Sequence, residues 1–180
     1  MTPEDAGTSG PPLERTPTRA TDLPRGRVAV QTFLPYADFE RSARTLDLRR
    51  LGKQRVEVVQ VVRARTWKGY GWARHPAARM WTGFEEALGC YGLVVCRVWT
   101  DLGFVDTCAG TIATDLADAG ISPLRGQEEL DAAGALPPWL GDEELHRSHR
   151  SALVRKDPDH YGPLFPDVPD DLPYVWPVGS

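Results

Sequence analysis

Residues 48–66 read LRRLGKQRVEVVQVVRART, and Asp47 stands directly before them. An aspartate there can accept the free backbone N–H groups of a first helical turn. On a helical wheel Leu48, Leu51, Val58, Val59 and Val62 fall on one side, and Arg49, Lys53, Glu57 and Gln60 form a second stripe. The spacing predicts a helix over 48–66 with one face in a core and one face charged. Arg55 falls inside the apolar arc, where a guanidinium must either find a carboxylate or extend past the core along its stem.

Working outward, a helix is expected from Asp38 to Thr45, preceded by the short apolar segment Val28–Leu34 that Pro35 closes. His75-Pro76 suits a helix start. Met80, Trp81, Phe84, Leu88, Tyr91, Val95, Val98, Trp99 and Leu102 then recur at helical spacing, which predicts one long helix ending at Gly103. Gly83, Gly89 and Gly92 weaken it by roughly 1 kcal/mol each, which close approach of another backbone would offset. Shorter helices are expected near Thr114–Ala119 and Gln127–Ala133, and Pro137-Pro138-Trp139 stops that run. A final helix covers Glu143–Lys156, capped by Asp142 and ended by Asp157-Pro158. Tyr161–Trp176 is rich in proline and aromatic residues and reads as an irregular surface wrap. The expected fold is all-α: a compact single-domain helical bundle over 28–180, with residues 1–27 a disordered extension holding five prolines and no apolar periodicity.

A chain of 180 residues, 41% apolar and 26% charged, is sized for one domain with a real core. No uncharged run of the length needed to span a membrane occurs. The start lacks an apolar stretch and carries Glu4, Asp5, Glu14 and Arg15, unlike a secretory signal. Cys90, Cys96 and Cys108 have no CxxC spacing, which fits packing in a reducing, cytoplasmic compartment.

The net charge of −4 conceals a separation of sign. Residues 38–80 hold 11 Lys+Arg against 4 Asp+Glu, residues 81–145 hold 2 against 12, and residues 146–156 hold 4 against 0. Two causes produce such a pattern: pairing between oppositely charged faces, or a field aimed at a polyanion. The basic face, with Arg49, Arg50 and Arg55, is read as a surface for a phosphate backbone.

Three constellations carry candidate chemistry. Lys53 and Glu57, four apart on a helix, are either a solvated ion pair or an amine beside a general acid/base. His146, Arg147, His149, Arg150, Arg155 and Lys156 crowd the last helix. Two histidines three apart can ligate zinc, but further ligands are missing, so no metal is assigned. The alternatives are phosphate contact and pairing with the acidic segment. In the third, Trp67, Tyr70 and Trp72 alternate with Lys68, Arg74 and His75, which suits stacking on exposed bases or plugging a helix junction.

The order of the features is itself informative. Residues 51–60 (LGKQRVEVVQ), then Arg74-His75-Pro76, then Phe84 and residues 99–107 (WTDLGFVDT), then His146 and Arg155-Lys156-Asp157-Pro158, resemble the pyrimidine dimer DNA glycosylase (endonuclease V-type) family. The resemblance is greater still to bacterial proteins attached to that family, and it covers roughly Val30 to Trp176. It implies a compact helical DNA repair protein that flips a base out of the duplex and works as a glycosylase and abasic-site lyase. It implies DNA as the partner, no metal or cofactor, and no obligate protein partner. In that chemistry an amine attacks the sugar C1′ to form a Schiff base, and a helical glutamate, matched here by Glu57, assists.

In the family the amine is the chain's own N-terminus, whereas here 27 mostly polar residues precede Val28. Four arrangements stay open: a start near Val28–Val30, removal of the tail, replacement of that amine by Lys53, or loss of the glycosylase activity. With a start at Val30 the next residue is Gln31 where the family has threonine. Two other functions also fit the residues. One is a non-catalytic nucleic-acid-binding module on the same fold. The other is an enzyme for a small anionic substrate, with Arg55, His75 and His149 lining its pocket.

Overall fold

Carboxylates decide where the first two helices begin. Asp38 accepts the Arg41 amide at 2.6 Å and Asp47 accepts the Arg50 amide at 3.1 Å, which sets α1 at Phe39–Thr45 and α2 at Leu48–Thr66. The computed structural model describes residues 30–177. The extension expected over residues 1–27 lies outside them. α3 (Pro76–Arg79), α4 (Glu85–Asp101), α5 (Cys108–Asp118), α6 (Gln127–Ala132), α7 (Glu143–Lys156) and α8 (Pro158–Tyr161) complete a helical fold, with no strand among the described residues.

α2 crosses both α4 and α5, and α1 lies on α4. Leu51, Val58, Val59, Val61 and Val62 of α2 are buried against them, but Leu48 is 55% exposed. Leu48 departs from the expected apolar arc because it is the first residue of the helix and reaches beyond the core. Two polar residues, Gln54 and Glu57, are buried on α2.

The long helix expected from His75 to Gly103 is broken. Gly83 adopts φ +83°, a left-handed conformation that a side chain would strain, and the chain turns there between α3 and α4. Indole hydrogen bonds fix the turn: Trp81 Nε1 donates to Thr32 Oγ1 at 3.1 Å, and Trp139 Nε1 donates to the Met80 carbonyl at 3.0 Å. α5 begins six residues before the expected Thr114, because Asp106 accepts the Ala109 amide at 2.8 Å and starts the helix early.

Gly92 is one of two glycines at which α4 comes very close to its neighbours, the other being Gly89. A Cβ at Gly92 would lie 2.6 Å from Val58 Cγ1 and 2.8 Å from Ile112 Cδ1. The close approach is by side chains of α2 and α5, where a backbone approach was expected. Gly110 on α5 has open space around it. Gly92→Ala is therefore expected to cost about 1–3 kcal/mol through overpacking, while Gly110→Ala gains up to about 1 kcal/mol of helix propensity. Urea midpoints of the two variants should move in opposite directions.

Part of the charge separation is resolved inside the molecule. Arg55 pairs with Asp106, Arg63 with Asp115 at 2.8 Å, and Arg65 with Glu85 at 3.5 Å. These pairs join the basic helix α2 to the acidic half of the chain.

Candidate functional site

Residues 30–34 are buried, yet they form neither helix nor sheet. Their backbone polar groups need partners, since an unpaired buried donor or acceptor costs about 1–3 kcal/mol. Side chains from three helices provide them. Gln54 of α2 donates from Nε2 to the Gln31 carbonyl at 2.7 Å and accepts the Phe33 amide at 3.0 Å. Tyr91 of α4 donates its hydroxyl to the Phe33 carbonyl at 2.7 Å.

α7 supplies both partners of Leu34. His149 Nδ1 accepts the Leu34 amide at 3.0 Å, and His146 Nδ1 lies 2.8 Å from the Leu34 carbonyl. His146 Nε2 accepts the Gly141 amide at 3.0 Å, so Nδ1 is the nitrogen that donates to the Leu34 carbonyl. The two histidines, read from sequence as phosphate contacts, are 3% and 0% exposed. Their i, i+3 spacing serves as a clamp on one peptide residue. Burial first, and then the neighbouring ring of His146, hold His149 down at about 3.

The clamp seats Val30, Gln31 and Phe33 on the wall of a pocket of about 580 Å³. α2 contributes Arg49, Arg50, Lys53 and Glu57, and the end of α7 contributes Lys156. His75, Tyr174 and Trp176 add an aromatic wall. Glu57 is 5% exposed, and Lys53 Nζ lies 3.1 Å from its Oε1. Lys53 is exposed, so a buried carboxylate meets a solvent-facing amine, unlike the fully solvated pair that spacing alone allowed. Burial raises the Glu57 carboxyl above its ordinary value, and the hydrogen bond and charge of Lys53 oppose that rise. Burial lowers the Lys156 amine, and the nearby charges of Lys53 and Arg50 lower it further. The pocket thus joins a carboxyl that holds its proton more readily than usual to an amine readier than usual to lose one.

Arg50 holds this end of the fold together. It pairs with Asp47, lies 3.3 Å from Asp157, and donates to the Lys156 carbonyl at 3.0 Å. Tyr161 donates its hydroxyl to Asp47 at 2.6 Å. Burial works against the Asp47 carboxylate, but the hydrogen bonds from Tyr161 and Arg50 prevail and hold it at about 2. The staple brings the start of α2 to the end of α7, which is how Lys156 comes to share a pocket with Lys53.

The other residues singled out from sequence lie elsewhere. Arg55 sits over the Trp99 ring at 4.2 Å and is neutralised by Asp106, so its arginine-in-the-core problem is solved by a carboxylate. Lys68 and Arg74 are exposed on the loop between α2 and α3. In that loop Trp67 meets Tyr70 edge-on at 6.0 Å, while Trp72 meets His75 at 5.5 Å. Arg147 donates to the Asp167 carbonyl at 3.2 Å, and Arg155 to the Leu172 carbonyl at 3.4 Å. Arg150 pairs with Glu143. Of the cations singled out from the sequence, Arg49, Arg50, Lys53 and Lys156 are brought together with Glu57 and His75; the rest are not. Sequence reading missed Gln54, Tyr91, Tyr174 and Trp176. For Gln54 there was a signal, a polar residue inside the apolar arc.

Among the described residues no three His, Cys, Asp or Glu side chains gather as metal ligands, and no helix is long and apolar enough to cross a membrane. No curated protein and no solved structure is found to match the chain. The stretch that carries the clamped segment, the cationic face of α2, Glu57 and His75 lies within residues 30–110, and these match the model of the pyrimidine dimer DNA glycosylase family, so the resemblance of this chain to a family of DNA repair glycosylases holds over that stretch.

Proposed function

We propose that the pocket between α2 and the end of α7 is the active site of a DNA glycosylase with abasic-site lyase activity that works without a metal. The observation that carries this reading is the buried Glu57 beside amines in a cation-lined pocket. An amine attacks the sugar C1′, and the C1′–N bond to the base breaks with its electrons leaving on the base, which takes up a proton. Loss of the amine proton and opening of the sugar ring give a protonated imine. Removal of a C2′ proton then expels the 3′ phosphate. Glu57 is the group suited to carry these protons. Arg49 and Lys156, exposed at the rim, supply the salt-dependent phosphate contact.

Two amines of the described chain line the pocket, those of Lys53 and Lys156. A chain beginning at Val30 would add its α-amine to the same wall, since Val30 lines it. Borohydride reduction in the presence of abasic-site DNA traps the imine covalently. Adducts are expected, and proteolytic mapping identifies the amine in chains starting at Met1 and at Val30. If neither chain gives an adduct, the catalytic reading fails. Affinity that still falls by about 0.9 log units per log unit of salt for each phosphate neutralised would then leave a binding module.

A further inference from the structure

Resting on the DNA reading above, we infer that the C-terminal strap carrying Tyr174 and Trp176 is the element that receives one unstacked base, and so sets which nucleotide the pocket accepts. The strap has no regular structure, and its backbone is fastened to α7 by two buried serines. Ser151 Oγ accepts the Leu172 amide at 3.0 Å and Ser148 Oγ accepts the Val175 amide at 3.1 Å. The side chains on either side of Val175, Tyr174 and Trp176, both line the pocket.

Their rings lie 5.2 Å apart at 36°, and Trp176 meets the His75 ring at 6.3 Å, nearly perpendicular. Tyr174 is also hydrogen-bonded to the Gln31 side chain and packs edge-on at 5.5 Å against His149. The strap is thereby tied to the same clamp that holds residues 30–34. Both residues are half-buried, and both line the pocket.

Four cations, Arg49, Arg50, Lys53 and Lys156, also line the pocket. A nucleotide pairs an aromatic face with a phosphate, and this pocket pairs aromatic rings with cations. Its volume falls within the range of roughly 300–1,000 Å³ typical of sites that enclose small organic groups. Stacking of a base on such rings is tolerant of sequence and sensitive to whether the base is out of the helix. The strap lies beyond residues 110, outside the matched stretch. The cations of α2 and Glu57 thus lie within the matched stretch, while Lys156 and the wall that a base would meet lie outside it. Exchange of that wall would change the base accepted while leaving Glu57 in place.

The test compares two duplexes of one sequence, one with a single unpaired 2-aminopurine nucleotide and one with a stable abasic analogue at that position. The full chain and its Trp176→Ala and Trp176→Phe variants are titrated by anisotropy, with 2-aminopurine emission read in parallel. Trp176→Ala is expected to weaken binding of the base-bearing duplex about 10-fold or more, to change binding of the abasic duplex less than about 2-fold, and to relieve the quenching of 2-aminopurine. Trp176→Phe should keep most of the preference. Equal loss on both duplexes, or no loss on either, overturns the base-stacking role and leaves the DNA reading standing. Wild-type protein that binds neither duplex overturns both.

Discussion

Glu57→Gln is expected to lower imine trapping and strand cleavage at abasic DNA by roughly two to four orders of magnitude, the usual worth of a positioned proton carrier, with DNA affinity changed less than a few-fold. Glutamine keeps the shape and an oxygen for Lys53, which lies 3.1 Å away, but it can neither take nor give a proton at neutral pH. The fold should not suffer. Burial raises the Glu57 carboxyl, so in the pH window just above the ordinary carboxylate value the folded chain holds more protons than the unfolded one. Stability then falls as pH rises through that window. Removing the ionisable group removes this loss, and the melting temperature of the variant at pH 7 should equal or exceed that of the wild type. Retained trapping would exclude Glu57 from the chemistry. A large drop in melting temperature would reassign it to the scaffold.

The second large effect concerns acid. His149 is wholly buried, accepts the Leu34 amide on Nδ1, and is held at about 3 by burial and by His146. In an unfolded chain the ring takes its proton near 6.5. Between those values the unfolded state binds the proton and the folded state does not, so stability is full above about 6.5 and is lost as pH falls toward 3. Each pH unit across the window is worth about 1.4 kcal/mol. His75, also lowered by burial, adds to the same limb. The low Asp47 acts only below the ordinary aspartate value, and the raised Glu57 carboxyl works in the opposite direction just above the ordinary carboxylate value, so the loss of stability as pH falls below 6.5 comes from the histidines. Urea midpoints at pH 7, 6, 5 and 4 should fall steadily for the wild type. His149→Gln, which preserves an acceptor for Leu34, should flatten most of that slope while lowering stability at pH 7. An unchanged slope in the variant would place the acid sensitivity elsewhere.

Local signals located the helices well where capping chemistry and apolar period agreed. Asp47 with residues 48–66, and Asp142 with residues 143–156, gave the observed bounds of α2 and α7. The same period misled between His75 and Gly103, because apolar spacing continues smoothly through a turn that only Gly83 and the two indole hydrogen bonds reveal. Arg55 was legible as a problem needing a carboxylate, but that Asp106 would answer it was not, since the two are 51 residues apart.

The candidate site divides along the same line. Lys53 and Glu57 could be paired from the sequence because one helix turn sets their distance. The amino-acid sequence alone also determined that the chain is helical, that its cations are concentrated in two stretches, and that a glutamate sits on the cationic helix. Only the tertiary structure decided that Glu57 is buried, that His146 and His149 grip Leu34, and that Lys156, Tyr174 and Trp176 come to the pocket wall. Those placements depend on contacts between residues more than 100 positions apart, such as Leu34 with His149 and Asp47 with Tyr161. A helical period carries no information about which distant backbone group a buried histidine will find, because the partner is chosen by the need to satisfy every polar atom once the core has closed.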